Sequence, residues 1–472
     1  MKMLIERRAY FARVVALWMA VVLPVNALDL VESVQLAKAN DPRWSRIEAV
    51  QSVAVEKSNQ AFGALLPDVR LNSSYNFNHY KGEVAPIEVG DSPLAKAIID
   101  FFFPDITEPL DESYRARTLS GVARFGLLNR DSWLRFEGAK YFVSQSEAEH
   151  AAAAQGLLLE LVEAYFSSLS AMIDKNFALA EMRASGAQRE QIQLGYEEGV
   201  SKQVEVLNAE TAFDSSKSNL RLAEGKAAIA DGRLGSLIGR DVDKLAVMRD
   251  DLVVEAAYGD DVTPWLEKAE QQNPTLRARQ MAAESARKEY QARKAAHWPK
   301  VDLVARYDDY TTTGGRGFTP GAEQTSIGIE LNVPIYQGGR VQSAAREAAH
   351  RWVEAKDLYK EERIRVQREV KERFAMLNLS VDTVAYREKV IATQQQLVDK
   401  AEADYQAGTG SFRQIIESMR LLVAAKKEYE SARIDYILER VRFGQAVGQL
   451  DDGEVVEVNE WLVAGDAVDP AD

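Results

Sequence analysis

Residues 314–321, GGRGFTPG, have the glycine density of a loop that cradles phosphate. Such a loop works because successive backbone N–H groups converge on the anion. A Lys-Ser/Thr ending and a strand–loop–helix setting complete it. This stretch has neither and lies between two alternating segments, so it reads as an ordinary connecting turn. The four histidines, His79, His150, His297 and His350, are scattered and make no H-E-x-x-H pair, so no metal site is expected. Cysteine is absent, which removes disulfides, zinc–thiolate sites and a thiol nucleophile. No Ser-His-Asp set or carboxylate pair stands out from the charged background. The chain reads as a non-enzyme that needs no cofactor.

The polar residues that recur at regular spacing sit in four segments of period two. In 301–310, Val301, Leu303, Ala305 and Tyr307 oppose Asp302, Arg306 and Asp308, with Val304 off the pattern. In 325–335, Thr325, Ile327, Ile329, Leu331, Val333 and Ile335 oppose Ser326, Gly328, Glu330 and Asn332. In 68–77, Arg70, Asn72, Ser74 and Asn76 form the polar face; the fourth segment is 118–127. A soluble sandwich also alternates, but here the four strands stand alone in an otherwise helical chain. About ten residues tilted at about 45° span a bilayer. The unlike faces then predict a water-filled barrel, with Arg70, Asn72, Asn76, Arg306, Asp308 and Glu330 toward the lumen. Four strands cannot close a barrel, for which about eight is the practical minimum. Open edges are not tolerated in lipid, so several chains must pool their strands. Three chains would supply about twelve.

These segments belong to a duplicated unit. Pro42 and Pro274, Pro67 and Pro299, and Tyr75 and Tyr307 are each 232 positions apart. Further on, Val162, Phe166 and Leu169 match Val370, Phe374 and Leu377 at an offset of 208; LGSLIG (234–239) matches FGQAVG (443–448) at 209. The change of offset falls in a longer loop between Tyr80 and Thr118, where the AIIDFFFPDI stretch is expected to form a packed lid or loop. Each copy reads helix, strand, strand, long helix, turn, helix. No proline interrupts 131–196 or 339–405, which predicts helices of about 100 Å paired as coiled-coil-like hairpins. The resulting segments are a signal peptide (1–27, cleaved after Ala27), a first repeat (28–238), a linker (239–262), a second repeat (263–448) and an acidic tail (449–472) expected to fold back near Trp461. The basic MKMLIERR start and the apolar run after it carry the signal assignment. Without a Cys at the cleavage site, N-terminal lipid anchoring is excluded. Net charge is −14 and mean hydropathy −0.28, which argues against a nucleic-acid binder and against a stack of membrane helices.

The combination resembles the TolC family of outer-membrane efflux and export ducts over residues 28–450. The P-x-[VL]-x-[LA]-x-x-x-Y pattern is met by Pro67–Tyr75 and Pro299–Tyr307. The strand-to-helix signature is met by Val333-Pro334-Ile335-Tyr336-Gln337-Gly338-Gly339-Arg340. The hairpin-tip motif is met by Tyr196, Gly199, Val206 and Leu207, and again by Tyr405, Gly408, Ile415 and Ile416. The resemblance implies a mainly α chain with a transmembrane β-barrel contribution, assembled as a homotrimer in the outer membrane of a Gram-negative bacterium and extending into the periplasm. It implies a periplasmic adaptor and an inner-membrane ABC or proton-driven pump as partners, with outer-membrane lipid around the barrel.

The resemblance also implies a gate just past the tip turns, at Glu205 in copy one and Gln414 and Glu417 in copy two. Threefold repetition would gather them into a ring expected to respond to pH and divalent cations. Gln414 is neutral where efflux members usually carry Asp, and Gly410 stands where some carry an Arg that locks the closed state, so the expected lock is either weaker here or built from Tyr196, Tyr405 and Arg413. The alternative is a periplasmic coiled-coil scaffold or adhesin without a pore, which has no use for strands with unlike faces. Protein, drug and metal cargoes share this architecture. The missing anchor Cys leans slightly toward the protein-secretion and multipurpose branch, because many dedicated drug and metal ducts are lipoproteins.

Overall fold

The computed structural model describes residues 27–82, 93–102, 110–199, 201–249, 251, 254, 259–314, 321–407 and 409–463. The signal segment 1–26, Phe103, the glycine loop 315–320, Gly408 and the tail end 464–472 lie outside them. The first copy comprises α1 (Leu30–Asn40), α2 (Pro42–Gly63), β1 (Asp68–Gly82), α3 (Pro93–Phe102), β2 (Leu110–Leu128), α4 (Arg130–Glu197) and α5 (Gln203–Ile238). After β3 (Val247–Met248), the second comprises α6 (Thr263–Gln272), α7 (Pro274–Ala295), β4 (Lys300–Thr313), β5 (Gly321–Asn332), α8 (Arg340–Gln406) and α9 (Phe412–Val447). α10 (Asp452–Asn459) and β6 (Leu462–Val463) follow. The copies match in measure: α2 and α7 have 22 residues each, α4 and α8 have 68 and 67, and α5 and α9 have 36 each. Pro42 and Pro274 open α2 and α7, where a missing N–H costs nothing.

The chain divides into two compact units. One, formed by residues up to 51, 146–279 and 358 onward, holds the main core. The repeat-equivalent residues Val162 and Val370, Phe166 and Phe374, and Leu169 and Leu377 are all buried there. At its centre the Tyr165 hydroxyl donates to the carbonyls of Leu28 (2.9 Å) and Ala246 (3.1 Å). Burial pushes this phenol well above its ordinary pKa, so it remains a neutral donor. The tail folds back as expected: β6 pairs with β3, and the Arg249 N–H donates to the Trp461 carbonyl at 2.9 Å. Arg433, 1% exposed, pairs with Glu430 one turn earlier in α9 (3.0 Å) and ties the helix to this corner through the Arg249 carbonyl.

Both α5 and α9 end at a glycine in the left-handed region, Gly239 (φ 76°) and Gly448 (φ 90°). Each presses on the junction before the proline-led helix of its copy. A Cβ at Gly239 would lie 2.7 Å from Asn40 Cβ, and one at Gly448 would lie 2.6 Å from Asn273 Cα. Asn40 and Asn273 donate back to Ile238 O (2.8 Å) and Ala446 O (3.0 Å), satisfying carbonyls that helix ends leave open.

The other unit, residues 52–145 and 280–357, carries the antiparallel sheet β1-β2-β4-β5. Several strand ends differ from expectation. β5 stops at Asn332 and leaves Val333 and Ile335 outside the strand, because Pro334 has no N–H to offer a ladder. β1 and β2 instead run on to Gly82 and back from Leu110. Polar cross-strand pairs hold this extension: His79 meets Ser113 (3.2 Å) and Asp111 (3.4 Å). It lacks apolar alternation, so periodicity does not reveal it. The loop stretch is also corrected: Pro93–Phe102 is a helix, and Leu94, Ile98, Phe101 and Phe102 are exposed rather than packed.

Two outcomes follow from this packing. Gly448→Ala should lower stability by at least about 1 kcal/mol, read as a lower Tm in calorimetry, because it adds a strained φ and a backbone overlap. Glu454 is held against Gly444, and burial pushes its carboxyl up to about 7 against the pull of Arg440. The protonated form is therefore favoured in the fold, so this position costs nothing below the unfolded pKa near 4.5 and progressively more as pH rises through 7. Glu454→Gln should raise stability at pH 8 by up to about 3 kcal/mol, read as a higher Tm, and leave Tm unchanged at pH 4.

Candidate functional site: the polar sheet face and the helix tips

The register decides which strand residues share a face. Arg70 aligns with Val122, Arg306 and Ser326, and Asn72 with Ser120, Asp308 and Gln324. Asn76 lies along the same face, and Glu330 pairs in register with Asp302. All six residues expected on the polar face therefore share one side of the sheet.

Four of the charges on this side form a continuous net. Arg306 donates to Glu330 at 2.5 Å, and Arg124 reaches the same carboxylate at 3.4 Å and Asp302 at 3.6 Å. Arg70 pairs with Asp68 at 2.6 Å. Arg124 was missing from the expected set, although its place two residues from Val122 and Gly126 gives it the right parity. Val304, off pattern in sequence, is 3% exposed and sits in register between Arg124 and Gly328 on this same side. The opposite face carries Val69, Leu71, Ile327, Ile329 and Leu331, all exposed. Water-seeking and apolar faces back onto one four-stranded sheet.

The tips repeat one design with exchanged parts. In copy one the Ser201 N–H donates to Gly195 O (2.9 Å), closing the end of α4, and Gly199 has φ 80°. In copy two the equivalent Gly410 N–H donates to Asp404 O (2.9 Å). At Gly410 the two backbones come near enough to disfavour a Cβ, whereas at Gly195 only the rotatable Ser201 hydroxyl stands in its way. At Gly195 the added carbon would meet Ser201 Oγ at 2.7 Å, and at Gly410 it would meet Asp404 C and Tyr405 N at 3.0 Å. Glycine takes the first position in one copy and the last in the other. Gly410 therefore has a local reason, and a long side chain there is disfavoured whatever its charge.

The next helices also start alike. Glu205 Oε2 accepts the Lys202 N–H at 3.0 Å, and Gln414 Oε1 accepts the Ser411 N–H at 2.9 Å. These are the reach-back halves of capping boxes, for which Glu and Gln serve equally. The neutral residue at 414 is thus a competent cap. Glu417 and Arg413 are exposed on the first turns of α9 and make no ion pair among the described residues. Tyr196 and Tyr405 are half-exposed on the last turns of α4 and α8. Within one chain the structure brings Glu205 and Gln414 each to its own cap, and does not bring them to Glu417.

The outer membrane efflux protein family profile matches residues 33–240 and 265–449. The chain is 28% identical over 441 residues to the outer membrane protein TolC of Vibrio cholerae, covering 93% of this chain and 94% of that one. It is 24% identical to the alkaline protease secretion protein AprF of Pseudomonas aeruginosa, covering 93% and 88%. The solved structure of the outer membrane protein VceC from Vibrio cholerae aligns with a TM-score of 0.70 at 16% identity, covering 89% of this chain and 96% of that one.

The caps yield a direct check. Gln414→Ala should release the Ser411 amide and speed its hydrogen exchange about fivefold, the equivalent of about 1 kcal/mol. Gln414→Glu should leave that rate unchanged.

Proposed function

The chain belongs to the outer membrane efflux protein family, a duct of the Gram-negative outer membrane for efflux or secretion, and from that premise we propose that three copies form one gated passage. The observation that carries this reading is the four-stranded sheet with unlike faces and a single neighbour for each of β1 and β5. In lipid each open edge must find a partner strand. Pairing β5 of one chain with β1 of the next closes a barrel of about twelve strands, a size within the range of outer-membrane barrels. The Arg306–Glu330–Arg124 net then lines water, and Val69, Leu71, Ile327 and Ile329 meet lipid.

Movement through the barrel is passive. An inner-membrane pump, ABC-type or proton-driven, joined by a periplasmic adaptor, supplies the energy and selects the cargo. Similarity to AprF, named for protease secretion, favours an exported protein among the cargoes. The gate lies at the tips, where threefold repetition of Glu205 and Glu417 gathers negative charge at a constriction, with Tyr196, Tyr405 and Arg413 as closing contacts.

The capping geometry makes the charge test clean, because glutamine at 205 keeps the bond that Gln414 already demonstrates. In planar bilayers the purified protein should give a small, stable, cation-selective conductance that millimolar divalent cations reduce. Glu205→Gln combined with Glu417→Gln should weaken divalent block at least about tenfold, losing the ring's charge without losing the turns. Protein shown to be inserted that passes no current under any condition would sink the duct in favour of the poreless scaffold.

A further inference from the structure

We propose that the lipid-side face of the β1–β2 hairpin, centred on Arg115 and Arg117, binds the phosphate groups of lipid headgroups in the outer leaflet. The inference rests on the reading of the apolar sheet face as lipid-facing. Tyr75 lies directly opposite Arg117, and Phe77 directly opposite Arg115. Opposed residues share a face, and by parity this is the face of Val69 and Leu71, opposite to Asn72 and Asn76. Both arginines are exposed, and neither has a carboxylate partner among the described residues. The Arg115 guanidinium lies over the Phe77 ring at 4.9 Å, which fixes its plane while leaving its N–H edge open.

Depth places the pair at a headgroup layer. From the Val301–Leu331 row, at the helix end of the sheet, to the row of Tyr75, Arg117 and Thr311 is a run of about ten residues of β4. That is about 33 Å of strand and about 23 Å of depth at a tilt of about 45°, close to the roughly 25 Å apolar band of an outer-membrane barrel. Asp309 and Glu323, one row nearer the helices on this face, mark the far border of the hydrocarbon, and Arg117 with Tyr75 and then Arg115 with Phe77 stand just beyond it, in the headgroup layer. This border lies at the end of the sheet away from the long helices, toward the hairpin loops.

Charge confines the site to this hairpin. On β4 and β5 the same face carries Asp309 and Glu323 directly opposite one another, one row nearer the helices. Those carboxylates repel an anionic headgroup, whereas two guanidinium groups two residues apart offer forked donors matched to phosphate oxygens. The flanking Tyr75 and Phe77 rings, exposed by 60% and 71%, contact the acyl chains and glycerol or sugar region beneath. The occupant is therefore a membrane lipid bearing phosphate, held by its headgroup against the hairpin and by its chains against the apolar band.

The test uses the full chain in nanodiscs of zwitterionic phospholipid doped with a diphosphorylated disaccharide lipid, with protein-bound lipid counted by native mass spectrometry. The wild type should retain the phosphorylated lipid, and should retain the same lipid without its phosphates at least about tenfold less. Arg115→Gln with Arg117→Gln should cut retention of the phosphorylated lipid by a similar factor. Removing two helix arginines instead, Arg221→Gln with Arg368→Gln, should change nothing. Equal retention by the hairpin variant overturns the proposal, as does full displacement by millimolar inorganic phosphate, which would mark a soluble-anion site. A protein that inserts and conducts but retains no phosphorylated lipid overturns this inference alone. A protein that fails to insert overturns the duct reading with it.

Discussion

An unpaired strand edge in hydrocarbon leaves its outward N–H and C=O groups without partners, at several kcal/mol for each. This chain's sheet has two such edges, β1 and β5. Every larger feature answers to that constraint. A single chain cannot remove the edges, so the sheet needs other copies, and the alternation of each strand must be strict enough that the joined sheet has one wet side and one oily side. The longest helices follow the second strand of each copy directly, α4 two residues after β2 and α8 after the Pro334 turn, so the wall of the passage is continuous with them along the chain.

Duplication provides the strands in pairs, and the two copies are held by equivalent contacts rather than by identical residues. Gly239 and Gly448 do the same work against Asn40 and Asn273. At the tips the equivalence is looser. Glycine stands on the helix side of the closure in copy one (Gly195) and on the turn side in copy two (Gly410), where alone the backbone is close, and the cap changes from a carboxylate to an amide. Geometry is conserved between the copies while charge is not. Glu205 and Gln414 therefore separate what the turn requires from what charge can add: both close the cap, and only Glu205 is ionisable.

Polar groups also mark where each part meets its surroundings. The buried Arg433 and Tyr165 act as donors to backbone carbonyls that the core would otherwise strand. The Arg124 and Arg306 side chains are exposed and those of Asp302 and Glu330 partly so, and the four neutralise one another without a large net field. Arg115 and Arg117 differ from both, being exposed and without a carboxylate partner among the described residues.

The sequence by itself determined what depends on neighbours along the chain. Period-two alternation placed Arg70, Asn72, Asn76, Arg306, Asp308 and Glu330 on one face, and the offset of 208 paired the buried Val162, Phe166 and Leu169 with Val370, Phe374 and Leu377. Uninterrupted helix formers set the long helices. Only the tertiary structure decided what depends on segments far apart in the chain. The Arg124–Asp302 contact needs the β2–β4 register, and the far half of the β1–β2 hairpin forms through cross-strand polar pairs with no apolar signal. Glu454 acquires its raised pKa only by burial against α9. The reason Gly410 is a glycine lies in a carbonyl six residues earlier that the turn folds back upon. Periodicity is a local property of a chain; proximity is not.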